Sequence, residues 1–459
     1  MTQTLAIPLW LFVLIIALAM MSFTSNLLLP SVRWFFRRRV QRMVDRLNKK
    51  LDRPIDVFKL AERQDRIARL VYDPRVLEAV TDHAAQTGMP ASVALQEARR
   101  YASEIVPGFS TTLYFGVAIK LARRLSRLLY DVRIGRLDMA LRSIDPKATV
   151  IFVMNHRSNM DYVLVTWLVA GRATISFAVG EWAHVWPLSG IIRAMGAYFI
   201  RRNSRNALYR RVLARYVQMA TDEGVTQAIF PEGGLSLDGS LGPAKLGLLS
   251  YIMTGFRPGT GRDVVFVPVG LNYDRVLEDR ILTKVAKPSG RSFGGNTVNA
   301  LAFAVGVLLR KITGRFKGFG TAAVAFGAPV SLTGFLAAHE NATAEVLAAQ
   351  LMAAIAAVIP VVPVPLVAAA LLRNPVDRAD LATTLTVMVQ DLAAAGAVLK
   401  LKPGGIENTM QAGLSALIAR GLVDANLQIA PGAAPMIGYY AASVSGHRPG
   451  TAAGILPLA

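Results

Sequence analysis

The feature that most constrains the fold is an alternation of short apolar runs with longer amphipathic segments, which begins near Asp145. The short runs are rich in β-branched and aromatic residues, which favour strands. They lie at 149–154, 175–179, 197–200, 227–230, 264–271 and 322–326. The segments between them, for example 204–221 and 244–253, carry apolar residues at helical spacing. This alternation predicts an α/β domain whose mostly parallel sheet is flanked by helices.

The 459 residues are more than one compact domain usually needs, so we expect helical additions on both sides of the α/β domain. The expected parts are a transmembrane anchor at 1–32, a basic helical region at 33–144, the α/β domain at 145–335 and a C-terminal helical region at 336–459. Within the last region, residues 377–422 resemble a small helical domain. The Gly/Ala/Pro-rich residues after 422 show no pattern that predicts a structure or a function.

The N-terminal 32 residues carry no charged side chain and are long enough to cross a bilayer as one helix. Nine basic residues and only two acidic ones follow between Arg33 and Arg53. The positive-inside rule therefore places the N-terminus outside and the rest of the chain on the cytoplasmic face. A cleaved signal peptide fits less well, because no positive charge precedes the apolar run and the run is too long.

A second uncharged stretch, at 346–372, also has the length of a membrane span. Three prolines (Pro360, Pro363 and Pro365) interrupt it near the middle, where a spanning helix would need unusual support. We therefore expect two buried helical pieces here, with a second span as the alternative.

The net charge of +21 indicates an anionic partner, which is nucleic acid, a membrane surface or an acidic substrate. The basic residues cluster beside the apolar N-terminus and do not interleave with aromatic residues, so membrane lipids are favoured and nucleic acid is not expected. One basic segment, at 120–132, has four apolar residues on one helical face. That face either lies on anionic lipid headgroups or packs against the core of the protein, and the sequence leaves both open.

The chain contains no cysteine, which excludes a disulfide framework, a thiolate metal site and a thiol nucleophile. Four of the five histidines, namely His83, His184, His339 and His447, lack companions at ligand spacing. No metal and no cofactor is therefore expected.

The fifth histidine, His156, directly follows the predicted strand at 149–154 and is five residues ahead of Asp161. A neutral imidazole can take a proton from a hydroxyl group while a carboxylate holds its other ring nitrogen. A histidine and a carboxylate five residues apart also occur as an ordinary pair on a protein surface, so the spacing alone does not indicate catalysis. The position at the end of a buried strand favours a general base with its orienting partner.

Two further segments place charged groups at strand ends. The run at 196–202 ends with Arg201 and Arg202, and adjacent guanidinium groups suit a phosphate. The run at 230–234 ends with Glu232, Gly233 and Gly234, where the bare glycine backbone can approach a ligand. Arginines after a strand are usually solvated and Glu-Gly-Gly is usually a turn, so neither segment is specific by itself.

Lys245 follows in the next segment and is a further candidate for binding an anionic substrate. The fourth segment, at 267–273, is a strand with Pro268 near its middle. Because proline cannot donate to a sheet ladder, we expect Pro268 at a sheet edge or a bulge.

In the same order and at similar separations, these four segments resemble the four motifs of the glycerolipid acyltransferases. The Gly-x-x-Phe-Ile-Arg-Arg run at 196–202 is most similar to the glycerol-3-phosphate acyltransferase branch, and the resemblance covers roughly 145–330. It implies that His156 is the base and Asp161 its partner. It also implies that Arg201 lies with Glu232 and Gly233 at the acceptor site.

The activity that the resemblance implies is transfer of a fatty acyl group to the hydroxyl of glycerol-3-phosphate at the cytoplasmic face of a membrane. The acyl donor is the thioester of acyl-CoA or of acyl-carrier protein, which is a co-substrate and not a cofactor. No acyl-enzyme is required, which agrees with the absence of cysteine and of a Gly-x-Ser-x-Gly elbow.

One departure from the family pattern concerns the acceptor. The third motif usually continues with arginines that help to hold the phosphate of the acceptor, whereas this chain has Leu235 and Leu237. Either the other basic groups hold the phosphate alone, or the acceptor is a more apolar lysophosphatidate; dihydroxyacetone phosphate also stays open. The basic loop at 289–296 could add Arg291, although an ordinary loop is the simpler interpretation. A rival of another class is a membrane-anchored scaffold that has lost activity.

Overall fold

The structure is a computed structural model that describes residue 8 and residues 42–446, except 43, 50, 56, 136–140, 181–187, 202–203, 260 and 286–317. The anchor expected at 1–32, apart from Pro8, lies outside these residues. The same holds for Arg202, for His184 and His447, and for the 289–296 loop.

One sheet of eight strands forms the centre of the described part of the chain. The strands are β1 (Asp131–Gly135), β2 (Thr149–Met154), β3 (Ser176–Val179), β4 (Tyr198–Phe199), β5 (Gln227–Ile229), β6 (Val264–Tyr273), β7 (Thr321–Phe326) and β8 (Val330–Ser331). Their order is β1-β7-β6-β2-β5-β3-β4, with β8 beside β6. Only the pairs β6–β7 and β6–β8 are antiparallel. The prediction of a mostly parallel sheet flanked by helices is confirmed.

Sixteen α-helices and one π-helix lie around the sheet within the described residues. The helices are α1 (Val57–Leu60), α2 (Arg63–Val71), α3 (Pro74–Thr87), α4 (Ala91–Ile105), the π-helix (Thr112–Ala118), α5 (Ile119–Leu129), α6 (Met160–Val169), α7 (Leu188–Ala194), α8 (Ala207–Asp222), α9 (Gly247–Gly255), α10 (Asp279–Val285), α11 (Leu332–Ala338), α12 (Ala344–Val358), α13 (Pro363–Leu371), α14 (Arg378–Ala394), α15 (Gly405–Ile418) and α16 (Ala434–Ser445).

Strand β1 lies in the region that was expected to be helical, 33–144, and that part of the expectation is wrong. Its five residues pair in parallel with β7 at the edge of the sheet. Their side chains alternate between charged and apolar, as in Asp131, Val132 and Arg133, which suits an edge strand with one wet face. The ladder with β7 supplies backbone hydrogen bonds that the local sequence alone does not reveal.

Strand β6 is buried along its whole length between β2 on one side and β7 with β8 on the other. The expectation that Pro268 marks a sheet edge is therefore wrong. The alternative of a bulge agrees with the pairing, because Phe266 pairs with Val330 and Val269 with Phe326, so the β7–β8 side has one residue more than β6 between these pairs. Val265 and Phe266 pair with β8, and the pairs with β7 begin at Val269, so Pro268 belongs to neither antiparallel ladder. A proline is tolerated there because it lies where the strand changes partner, and its carbonyl still accepts the Gly327 N–H.

The two faces of the sheet pack against different sets of helices. In β2, Val150 and Phe152 belong to a core that includes residues of α13 to α16, whereas Ile151 and Val153 belong to a core that includes residues of α2, α3, α4 and α8. This follows from the period of two along a strand. The helices at 377–422 thus cover one face of the central sheet and share its core.

The uncharged stretch at 346–372 forms parts of two helices, α12 and α13, that are separated by residues 359–362. Pro363 is the first residue of α13, where its missing N–H would have no helical partner in any case. The expectation of two helical pieces is confirmed. No helix in the described part of the chain combines the length and the apolarity that a membrane span requires.

Candidate active site

All four predicted segments end at the same edge of the sheet. Strands β6, β2, β5, β3 and β4 are adjacent in that order and parallel, so their carboxyl ends meet there. In open α/β sheets this edge is where ligands bind. His156 follows β2, Glu232 follows β5 and Arg201 follows β4. Because strands are about 4.8 Å apart, the backbone of Arg201 lies roughly 14 Å from that of His156.

The His156 ring is held by Asp161. Its Nδ1 atom is 2.9 Å from Asp161 Oδ2, and both side chains are almost fully buried. Asp161 is in the first turn of α6, so the five-residue spacing brings the carboxylate back under the ring. If Nδ1 carries the proton, Nε2 has the free lone pair; that tautomer is assigned from the carboxylate contact. The structure thus brings the predicted base and its partner together.

The Asp161 carboxylate accepts four hydrogen bonds. Besides the imidazole, Oδ2 accepts the backbone N–H groups of Arg157 at 2.7 Å and Ser158 at 3.0 Å. Oδ1 accepts the hydroxyl of Tyr273, at the end of β6, at 2.6 Å. Burial, together with the charge of Asp161, raises the pKa of Tyr273 well above its ordinary value, so this hydroxyl stays protonated and donates. Four donors fix the carboxylate, and with it the ring, in one orientation.

The other surroundings of His156 are aromatic. Its ring stacks on Phe230 with centroids 4.0 Å apart and meets the edge of Tyr162 at 5.4 Å. Nε2 makes no hydrogen bond to any residue that the structure describes. An unoccupied ring nitrogen of this kind can accept a proton from a substrate hydroxyl.

Glu232 accepts hydrogen bonds from two loops at this edge of the sheet. Its carboxylate accepts the backbone N–H of His156 at 2.8 Å and that of Gly242 at 2.9 Å. Burial raises the pKa of Glu232, and the two backbone donors oppose that shift. The contacts that the structure shows are with the protein's own backbone. A direct contact of Glu232 with the acceptor stays a prediction.

The two glycines after Glu232 form a turn, and the side chain of Lys245 lies against Gly233 in this turn. Gly233 has φ +68°, and a Cβ atom on it would lie 2.7 Å from Cδ of Lys245. The positive φ favours glycine here, whereas the contact with the exposed, flexible Lys245 side chain is relieved by a shift of that side chain. The ammonium of Lys245 makes no hydrogen bond or ion pair with a described residue, and the side chain is exposed. Binding of an anion by Lys245, and a part for Gly234, remain predictions.

Arg201 lies in a cage of side chains from α4 and α8. Its Nε and Nη2 atoms donate to the two carboxylate oxygens of Glu104 at 2.9 and 2.6 Å. Its guanidinium group lies 5.3 Å from the ring centroids of both Tyr101 and Tyr209. The hydrogen bonds that Arg201 donates to Glu104 hold the pKa of Arg201 above its ordinary value. Nη1 has no hydrogen bond within the described residues, so one end of an oriented guanidinium group is left for a ligand.

The leucines that stand where arginines were expected lie on different surfaces. Leu235 is half-buried and packs against the core on the side of the C-terminal helices, whereas Leu237 is exposed. Neither adds a charge at the edge of the sheet. Of the basic residues predicted to bind the acceptor, Arg201 and Lys245 are the described ones.

The sequence alone did not assign a role to Tyr273 or to Glu278. Tyr273 ends the fourth predicted segment, and its place at a strand end was a usable signal. Glu278 accepts the Ser158 hydroxyl at 2.8 Å and the Asn159 N–H at 3.2 Å, so it supports the same loop. Burial raises the pKa of Glu278. No local pattern marks this carboxylate, since its partners lie about 120 residues earlier.

The described residues contain no group of three or more His, Asp or Glu side chains that could hold a metal ion. His83 contacts Glu97, and His339 contacts the carbonyl of Phe335. The expectation that the chain needs no cofactor stays a prediction.

Two family models match the chain. Residues 138–272 match the acyltransferase model, and residues 305–441 match the model of the glycerol-3-phosphate acyltransferase C-terminal region. The chain is thus similar to the acyltransferase family over residues 138–272 and to the glycerol-3-phosphate acyltransferase C-terminal region over residues 305–441. The two matched segments contain the His156 loop and the C-terminal helices on the neighbouring face of the sheet.

Curated proteins that are similar to this chain are named glycerol-3-phosphate acyltransferase. The glycerol-3-phosphate acyltransferase of Pseudoalteromonas atlantica is 30% identical over 281 residues, which are 60% of this chain and 33% of that protein. Those of Pseudomonas entomophila and Alteromonas mediterranea are 29% and 28% identical and are covered to the same 33%. The chain thus matches about a third of the length of these relatives.

A solved structure, the 1-acyl-sn-glycerophosphate (LPA) acyltransferase from Thermotoga maritima, aligns with 64% of this chain and 96% of that chain. The sequence identity is 19% and the TM-score is 0.33. At that score, the position of one site does not transfer to the other.

Changing Tyr273 to Phe tests whether the fourth donor to Asp161 matters for turnover at this site. The ring stays, but Oδ1 of Asp161 loses its hydrogen bond, so we expect kcat to fall roughly tenfold with little change in KM. Tyr130→Phe is the matched control, because its buried hydroxyl donates to the carbonyl of Arg275 and not to Asp161. Equal kcat values for both variants, measured by steady-state kinetics, would contradict the assignment.

Proposed function

We propose that this protein transfers a fatty acyl group from the thioester of acyl-CoA or acyl-carrier protein to the hydroxyl of glycerol-3-phosphate. The observation that carries the proposal is the buried His156–Asp161 pair with Nε2 unoccupied. The names of the curated relatives support the same reaction and acceptor. An inactive scaffold has no need for a buried imidazole with an oriented carboxylate, so the enzyme is favoured.

The chemistry requires one proton relay at His156. Nε2 takes the proton of the glycerol hydroxyl while the oxygen attacks the thioester carbonyl and a C–O bond forms. The imidazolium that results lies 2.9 Å from the Asp161 carboxylate, which stabilises its charge. When the tetrahedral intermediate collapses, the C–S bond breaks and the sulfur leaves with the proton from His156. No acyl-enzyme forms, and the imidazole returns to its neutral state.

The acceptor phosphate is assigned to the basic groups of the same edge. Arg201 presents Nη1 from its cage and Lys245 has a free ammonium. We assign Arg202 to the acceptor phosphate as well, because it directly follows Arg201 in the segment at 196–202. A lysophosphatidate acceptor is the alternative, favoured by the apolar Leu235 and Leu237.

An acceptor panel with the purified protein tests the proposal. Glycerol-3-phosphate, dihydroxyacetone phosphate and lysophosphatidate are each offered with acyl-CoA and with acyl-carrier protein. We expect the highest kcat/KM with glycerol-3-phosphate. A clear preference for lysophosphatidate would establish the alternative acceptor, and no turnover with any pair would favour the scaffold.

Changing Arg201 to Ala tests the phosphate assignment. Removing a guanidinium that donates to the phosphate should raise the KM for the acceptor by about 10- to 100-fold and leave the KM for the acyl donor near its original value. Arg205→Ala is the matched control, since it removes the same charge from an exposed side chain four residues later. If only the KM for the acyl donor changes, or if Arg201→Ala and Arg205→Ala change the acceptor KM equally, the assignment is wrong.

We also propose that the catalytic edge works at an anionic membrane surface. The π-helix and α5 form one continuous helical segment that exposes Val117 and Leu121. The basic side chains exposed on α5 are Lys120, Arg123, Arg124 and Arg127. Leu125 packs against the core, so the apolar residues of this segment are divided between the core and the surface. Exposed apolar side chains among basic ones suit lipid headgroups.

A fluorescent label tests the membrane contact, because the chain has no cysteine of its own. A polarity-sensitive dye on Leu121→Cys should shift to shorter wavelengths with phosphatidylglycerol vesicles and much less with neutral phosphatidylcholine vesicles. A dye on Val376→Cys, also an exposed position, is the control and should not shift. No shift at position 121, or equal shifts at both positions, would contradict the proposal.

A further inference from the structure

The residue beside the base, Arg157, is buried without the partners that a buried charge normally has. Its side chain is 2% exposed. Nη1 donates to the carbonyl of Gly239, while Nε and Nη2 have no hydrogen-bond partner among the described residues. Burying a guanidinium in this state is costly unless another interaction compensates.

Besides the charge of Glu232, which interacts with Arg157 electrostatically, a compensating group is the ring of Tyr439 in α16. The guanidinium carbon of Arg157 lies 4.8 Å from the centroid of that ring, within cation–π range, and the ring is buried. The hydroxyl of Tyr439 makes no hydrogen bond within the described residues. It is therefore the aromatic face, and not the hydroxyl, that meets the arginine.

Close backbone packing keeps α16 against the loop that Arg157 contacts. A Cβ atom on Gly239 would lie 1.8 Å from the carbonyl oxygen of Tyr439, so glycine is required there. The same glycine has φ +87°. This contact between Gly239 and Tyr439 thus positions two groups. One is the Gly239 carbonyl, which accepts a hydrogen bond from Arg157, and the other is the Tyr439 ring, which covers the guanidinium group.

The next residue of α16, Tyr440, fixes the helix to the segment after β6. Its hydroxyl donates to Asp279 and accepts the Val276 N–H at 3.1 Å. Arg420 donates to Asp279 at 2.6 Å and to the Tyr440 hydroxyl at 3.0 Å. This segment also carries Glu278, which holds Ser158 and Asn159 of the His156 loop. Helix α16 therefore supports the loop from two sides.

We infer that α16 is a positioning element of the active site, in which the Tyr439 ring holds the Arg157 guanidinium and so keeps the His156–Asp161 pair aligned. The link is the Arg157 backbone, whose N–H donates to Asp161 at 2.7 Å. A displaced Arg157 moves that donor and with it the carboxylate that orients His156. The kinetic part of this inference rests on the proposed acyl transfer.

Two substitutions at position 439 of the full chain separate the ring from the hydroxyl. Tyr439→Phe keeps the aromatic face and should retain kcat within about twofold, since the hydroxyl has no partner. Tyr439→Leu removes the face and should lower kcat by about 10- to 100-fold, with the KM for donor and acceptor changed by less than about threefold. Equal kcat values for Phe and Leu would overturn the inference.

Hydrogen–deuterium exchange of the peptide that spans Asn155–Asp161 provides a readout without turnover. We expect faster exchange in Tyr439→Leu and wild-type exchange in Tyr439→Phe. If the wild-type protein shows no acyl transfer, the proposed function fails, and the exchange comparison alone decides the inference. Unchanged exchange in the Leu variant would overturn it.

A double-mutant cycle covers the case in which Tyr439→Leu folds poorly. Arg157→Met removes the charge and keeps a long side chain, so it should lower kcat and speed exchange of the loop on its own. In the Arg157→Met background, changing Tyr439 to Leu should have little additional effect, because no guanidinium is left to hold. If the two effects simply multiply, or if Arg157→Met leaves kcat and exchange unchanged, the inference is wrong.

Discussion

The structure of the active site depends on one buried carboxylate that accepts four hydrogen bonds. Asp161 joins the His156 ring, two backbone N–H groups of the same loop and the Tyr273 hydroxyl from β6. Three of these donors are local, and the fourth comes from the neighbouring strand of the sheet. The carboxylate therefore links the order of the loop to the pairing of β2 with β6. An imidazole held in this way needs little reorganisation when its charge changes during catalysis.

The rest of the edge supports that carboxylate or, in the proposed function, binds the acceptor. Glu232, which follows β5, accepts the backbone N–H of His156. Glu278, in the segment after β6, accepts the backbone N–H of Asn159 in the same loop. Arg201 is oriented by Glu104 and two tyrosine rings three strands away. The base and the basic groups thus have separate supports, which suits a reaction in which the hydroxyl and the phosphate of one acceptor bind at different points.

The sequence predicted what depends on short-range patterns. Buried parallel strands such as β2 are continuous apolar runs, so their positions were predicted closely, and the His156–Asp161 spacing is a local property of a helix start. Edge strand β1 was not predicted, and the sequence left open whether Pro268 lies at a sheet edge or at a bulge, because both features depend on which strands become neighbours. Contacts of Glu278 and Tyr439 join residues far apart in the chain. No local signal marked Tyr439, which lies in a Gly/Ala/Pro-rich stretch.

The measurement that tests the central claim most directly is the steady-state rate of a His156→Ala variant with acyl-CoA and glycerol-3-phosphate. Loss of the general base should lower kcat by about 10²- to 10⁴-fold. The KM values for both substrates should stay near those of the wild type, and thermal unfolding should show that the variant is folded. A folded variant that turns over at the wild-type rate would contradict the account.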